Sequence, residues 1–146
     1  MNTRQPEAVP EFRVVWPLEN LVSITTETRR RTAVVLCVTN ADETERCLIA
    51  NGLAVILAQA GVELFALVGT ESERVHDALD WVLEEADAEE VVTSWHHEYD
   101  AEDVAALVAG MSRASGLNRI VAVLDESSLS GANLRDAMLK AARRDL

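Results

Sequence analysis

Four short apolar runs alternate along the chain with four longer stretches in which hydrophobic residues return every three or four positions. The runs AVVLCV (33–38), ELFALV (63–68), EVVTS (90–94) and RIVAVL (119–124) are rich in β-branched residues and nearly continuous in hydrophobicity. That pattern suits strands covered on both faces, as in a parallel sheet. The stretches between them read as helices. The first extends from about Asp42 to Ala60, with Asn40 and Glu43 as a capping box and Gly61 as the stop. Its segment LAVILAQA is apolar nearly all round, which predicts deep packing, and Asn51-Gly52 marks a kink or a break. The second opens on a Thr70–Glu73 capping box and repeats Val75, Leu79, Val82, Leu83 and Ala86 at helical spacing. The third follows Asp100 and is expected to bury Val104, Leu107, Val108 and Met111. The fourth starts near Gly131 and is expected to bury Leu134, Ala137, Met138 and Ala141. Its last turn holds Lys140, Arg143 and Arg144, which complement the helix dipole.

A strand followed by a helix, four times over, predicts an α/β three-layer sandwich. Its sheet is mostly parallel, with four or five strands flanked by helices. Residues 33–146 make up this single domain. Residues 1–32 read as an extension in which FRVVW (12–16) and LVSIT (21–25) offer an edge strand or a hairpin.

Composition narrows the function classes. A chain of 146 residues that is 49% hydrophobic has the size of one domain with a real core. No apolar run approaches the ~20 residues that a spanning helix needs. The start, MNTRQPEAVPEFR, lacks the apolar segment of a secretory signal, so a cytoplasmic location is expected. Cys37 and Cys47 are too few for a disulfide framework and read as small buried hydrophobes. The net charge of −12 is uneven: residues 33–116 set three arginines against seventeen acids, while each end is close to neutral. Such a middle repels nucleic-acid backbones and attracts basic protein surfaces. The same carboxylates also serve plain solubility.

Open parallel sheets bind ligands at the carboxyl ends of their strands. The ends here are Thr39-Asn40, Gly69-Thr70, Ser94 to His97, and Asp125-Glu126. All three histidines fall near this rim, and Asp80 lies one helical turn beyond His76. The candidate rim site is therefore His76, Asp77, Asp80, Thr93, Trp95 and His96. Were it to hold a metal, His76, Asp80 and His96 would be the ligands. No HxH or HxxxH spacing supports that, and successive residues of an extended segment face opposite ways. No cofactor is expected either. The six glycines form neither GxGxxG nor a P-loop. Three helix starts carry their own acids, which satisfy the dipole and repel phosphate. The serine-rich start of the fourth helix (Ser127, Ser128, Ser130, Gly131) is the exception. A receiver-type phospho-acceptor would need a lysine at a late strand end, yet the only lysine is Lys140. A GxSxG elbow is absent, so no catalytic residue is assigned. Trp81, on the polar side of its helix with Glu84 and Glu85, reads as an interface anchor or as a ring covered by the N-terminal segment around Trp16.

The segments AVVLCV to LIANG, FALVGTESERVHDALD and VVTSWHHEYDAEDVAALV resemble an uncharacterised bacterial family of small α/β domains. The resemblance covers roughly residues 33–110. Its matching residues are Gly69, His76, Asp77, Asp80, Thr93, Trp95 and His96, with Ser94 standing where the family's Thr-Thr-Trp-His segment has its second threonine. It implies a location, the same rim, and no activity. The functional expectation is a small acidic binding or regulatory protein, of the immunity, antitoxin or adaptor kind, with a basic protein partner and no nucleic-acid or membrane partner. The alternatives are a small metal- or ligand-binding enzyme working at the His76–His96 rim, and a structural subunit of a larger assembly.

Overall fold

The structure is a computed structural model that describes residues 10–23 and 30–143. Among these residues, five strands form one all-parallel sheet in the order β1-β5-β2-β3-β4. The strands are β1 (Glu11–Val15), β2 (Thr32–Cys37), β3 (Val62–Val68), β4 (Val92–His96) and β5 (Arg119–Val123). The helices are α1 (Ala41–Glu45), α2 (Leu53–Gln59), α3 (Ser72–Glu85), α4 (Ala101–Ser115) and α5 (Leu129–Arg143).

Strand alternation divides the sheet's side chains into two cores. Val34, Leu36, Phe65, Leu67, Val121 and Val123 face α1, α2 and α3. Ala33, Val35, Leu64, Ala66, Ile120 and Ala122 face α4 and α5. The expected three-layer α/β architecture is what the chain forms. Its three inner strands are the near-continuous apolar runs, because a strand covered on both faces can leave neither set of side chains polar.

The first 32 residues contribute to the same sheet. β1 is an edge strand that runs parallel to β5, from Glu11 opposite Arg119 to Val15 opposite Val123. No hairpin forms. Leu18–Asn20 is a 3₁₀ turn that continues helically through Ser23, so Leu21 packs in the core beside α1. Ile24 and Thr25 lie outside the described residues.

Several boundaries differ from the sequence pattern. The first predicted helix is three pieces: α1, a π-helical turn over Arg46–Ala50, and α2. Gly52, at φ +74°, breaks it, since a left-handed residue cannot continue a right-handed helix. Asn40 does cap α1, accepting from the Glu43 N–H at 3.1 Å. Within α2 only one side is buried, and Ile56 is exposed. Thr70 does not cap α3. The chain turns tightly at Gly69 (φ +126°), where a Cβ would lie 2.7 Å from the Val38 carbonyl oxygen, and α3 begins at Ser72. On α4 the buried stripe is Val104, Ala105, Val108, Ala109 and Ser112, which leaves Leu107 exposed. On α5 Leu134, Met138 and Ala142 are buried, with Ala137 and Ala141 half-buried. β4 spans Val92–His96 rather than 90–94, because Glu89 and Glu90 stay in the preceding turn and the strand closes with the Gly69 N–H donating to the His96 carbonyl at 3.0 Å.

Candidate functional site

The core-facing residues of α3, Val75, Leu79 and Leu83, place His76 and Asp80 one position on, along the flank that meets β4. β4 pairs with β3 so that Thr93 lies opposite Phe65 and Trp95 opposite Leu67. Phe65 and Leu67 face α3, so Thr93 and Trp95 do as well. At this corner His76 Nε2 is 3.0 Å from Thr93 Oγ1 and 3.3 Å from Asp80 Oδ2. On the other side of the ring, Nδ1 is 3.3 Å from Asp77 Oδ1. The Thr93 hydroxyl donates to Asp80 Oδ1. The His76 and Trp95 rings lie 6.4 Å apart, tilted by 57°. Five of the six expected rim residues therefore meet.

His96 is the sixth, and it does not join them. It pairs with Val68, whose side chain belongs to the core under α4 and α5, so His96 points to the opposite face of the sheet from His76. There its Nε2 is 3.1 Å from Ser94 Oγ, and burial lowers its pKa, favouring the neutral ring. The set His76, Asp80 and His96 is consequently divided by the strand that carries His96. Among the described residues, no group of three or more histidines, cysteines and carboxylates is placed to hold a metal ion.

The order Thr93, His76, Asp77 has the outline of nucleophile, base and orienting acid. Proton positions argue otherwise. A carboxylate only accepts, so the Thr93 hydrogen is committed to Asp80, and toward His76 the hydroxyl oxygen is the acceptor. A general base requires the reverse polarity. The arrangement is a polar tie that fastens α3 to the edge strand.

Charge is the feature of the stretch around this corner that pattern reading located only coarsely. Residues 69–103 hold thirteen carboxylates against Arg74 alone, which equals the chain's whole net charge of −12. All thirteen carboxylate residues are exposed. Arg74 is turned to α1, where its Nε donates to Glu45 at 2.9 Å and a second nitrogen reaches Asp42. Glu84, Glu85, Glu89, Glu90 and Glu98 meet no cation among the described residues. Trp81 stands in this field 62% exposed. Trp16 lies elsewhere, against a cleft beside the end of β2.

That cleft, lined by Trp16, Pro17, Thr39, Asn40, Glu43 and Cys47, was not visible as a motif, because its residues come from two segments about twenty residues apart in sequence. At about 70 Å³ it is far below the roughly 300 Å³ where small-molecule sites begin. Cys37 and Cys47 are free and half-buried rather than buried, and burial raises the Cys37 thiol to about 11. The serine-rich start of α5 satisfies itself. Asp125 accepts from the Ser127 N–H at 2.9 Å and from its hydroxyl at 2.6 Å, and Ser128 Oγ accepts from the Gly131 N–H at 3.0 Å. Those bonds hold the Asp125 carboxyl below its usual pKa, and the charge opposes any incoming anion.

Among the described residues no helix is long and apolar enough to cross a membrane. No curated protein and no solved structure matches this chain. A family model does match over residues 15–140, from the end of β1 almost to the end of α5, and the chain belongs to that family, the domain of unknown function DUF7684.

Proposed function

We propose that the chain is a small acidic binding protein that recognises a basic protein partner through its α3–β4 side, in the manner of an immunity protein, an antitoxin or a regulatory adaptor. One observation carries the reading: the exposed side chains of residues 69–103 sum to the whole net charge, and a largely exposed tryptophan stands among them. An excess of exposed carboxylates raises association rates with a cationic partner by about 10- to 1,000-fold at low salt. A large ring amid them supplies the apolar anchor that charge alone lacks. Trp81, Glu84 and Glu85 are the contact residues. Such a partner acts inside the cell, and the cytoplasm is the proposed location.

The test compares the proteins retained from native lysate by the untagged chain with those retained by Glu84→Lys/Glu85→Lys and by Trp81→Ala. The expected result is a defined basic protein that the native chain holds and both variants lose. Retention of the same proteins by the charge-reversed variant would remove the basis of the reading.

A further inference from the structure

The free edge of β4 says how a partner would be held, an inference that rests on the proposed recognition of a basic protein. In a strand the N–H and C=O of one residue point to the same side, and successive residues alternate. The bond from the Gly69 N–H to the His96 carbonyl fixes the phase in β4. Val92, Ser94 and His96 turn their main-chain groups toward β3, so Thr93 and Trp95 turn theirs away from the sheet. Among the described residues no strand lies beyond β4.

The two sheet edges are treated differently. β1 carries Glu11 and Arg13 and is bracketed by Pro10 and Pro17, devices that discourage a further strand from adding. β4, with the sequence VTSWH, has no proline, lysine or carboxylate, and its register with β3 contains no bulge. Val92 on one side of the edge and Trp95 on the other are 46% and 40% exposed. Around this bare edge stand Glu84, Glu89, Glu90 and Glu98, on the segments that enter and leave the strand. A second copy of the chain would bring the same carboxylates against them, and like charges across paired strands repel. An extended segment with lysine or arginine side chains would find complementary charge and unpaired main-chain groups together.

We propose that β4 is a docking edge that takes a basic, extended segment of a partner protein as a sixth strand, bonded through the main-chain groups of Thr93 and Trp95. The test uses the full chain and two synthetic probes: a twelve-residue peptide of alternating lysine and valine, and the same peptide methylated on every backbone nitrogen. Both carry the same charge, but only the first can donate main-chain hydrogen bonds. At low ionic strength the methylated probe should bind about tenfold more weakly. The unmethylated probe should slow hydrogen exchange at the Thr93 and Trp95 amides. Trp95→Pro sets a ring methylene in the path of an added strand while sparing every bond to β3, and should bring the unmethylated probe down toward the methylated one; Trp95→Ala should retain the difference. Equal binding of both probes would overturn the docking edge while leaving recognition of basic partners intact. Absence of binding by either probe would overturn it as well, and would count against the basic-partner reading too. Self-association of the chain with its Thr93 and Trp95 amides already protected would overturn it in favour of a second copy.

Discussion

Replacing Thr93 by valine isolates the tie between α3 and β4. The two side chains are nearly the same shape and both suit a strand, so the substitution removes a hydroxyl and little else. In the native chain that hydroxyl donates to Asp80 and accepts from His76 Nε2 at 3.0 Å. The Asp80 side chain is 49% exposed, so solvent screens its charge and the bond is worth little more than a neutral one. His76, whose side chain is 15% exposed, keeps Asp80 at 3.3 Å after the change, which softens the loss on that side. Each bond then contributes about 0.5–1 kcal/mol, and the valine variant should be about 1–2 kcal/mol less stable. For a domain of this size that lowers Tm by roughly 3–7 °C, measurable by thermal unfolding followed by circular dichroism. Thr93→Ser should recover most of the loss. A double-mutant cycle with Asp80→Ala should return a coupling of about 0.5–1 kcal/mol. A valine variant that melts at or above the native temperature would refute the reasoning, and packing alone would then hold the corner.

Three further outcomes are expected. Gly131→Ala should cost at least about 2 kcal/mol in urea unfolding, because its Cβ would lie 2.0 Å from the Asp125 carbonyl oxygen and the backbone of α5 must shift; an unchanged midpoint would contradict that close approach. Cys37, with its thiol near 11, should resist iodoacetamide at mildly alkaline pH in the folded chain and react once urea unfolds it, as read by mass spectrometry of its peptide. The bidentate contact of Arg31 holds the Glu63 pKa below its ordinary 4.5, so Glu63 adds stability above that value and loses it as pH falls through the lower folded pKa. The Tm difference between native chain and Glu63→Gln should therefore be constant near neutrality and vanish in acid; a difference that grows below pH 4.5 would reverse the assignment.

The candidate site was partly legible for a specific reason. His76 and Asp80 share a helix flank by spacing, and Thr93 and Trp95 share a strand face by alternation. These are periodicities internal to one element, and a sequence displays them directly. The parity that united Thr93 with Trp95 also excluded His96 from their face. Applying it to the metal set required knowing which face α3 covers, and that is settled by packing. The exposed face of α2 at Ile56 and the turned stripe on α4 at Leu107 were missed similarly, because an apolar residue states its preference for burial but not whether a neighbour is available.

By itself the sequence determined the alternation of strands and helices, the parallel character of the buried strands and the concentration of acid in the middle of the chain. Each of these follows from local periodicity or from counting. Only the tertiary structure decided that β1 joins the sheet beside β5, and that β4, inside the acidic stretch 69–103, lies at the opposite edge. Strand order is a choice among pairings that bury similar apolar surface. The energy separating those pairings lies in contacts between residues far apart in sequence, such as Ala33 with Ile120 and Leu67 with Trp95, which a local pattern does not contain.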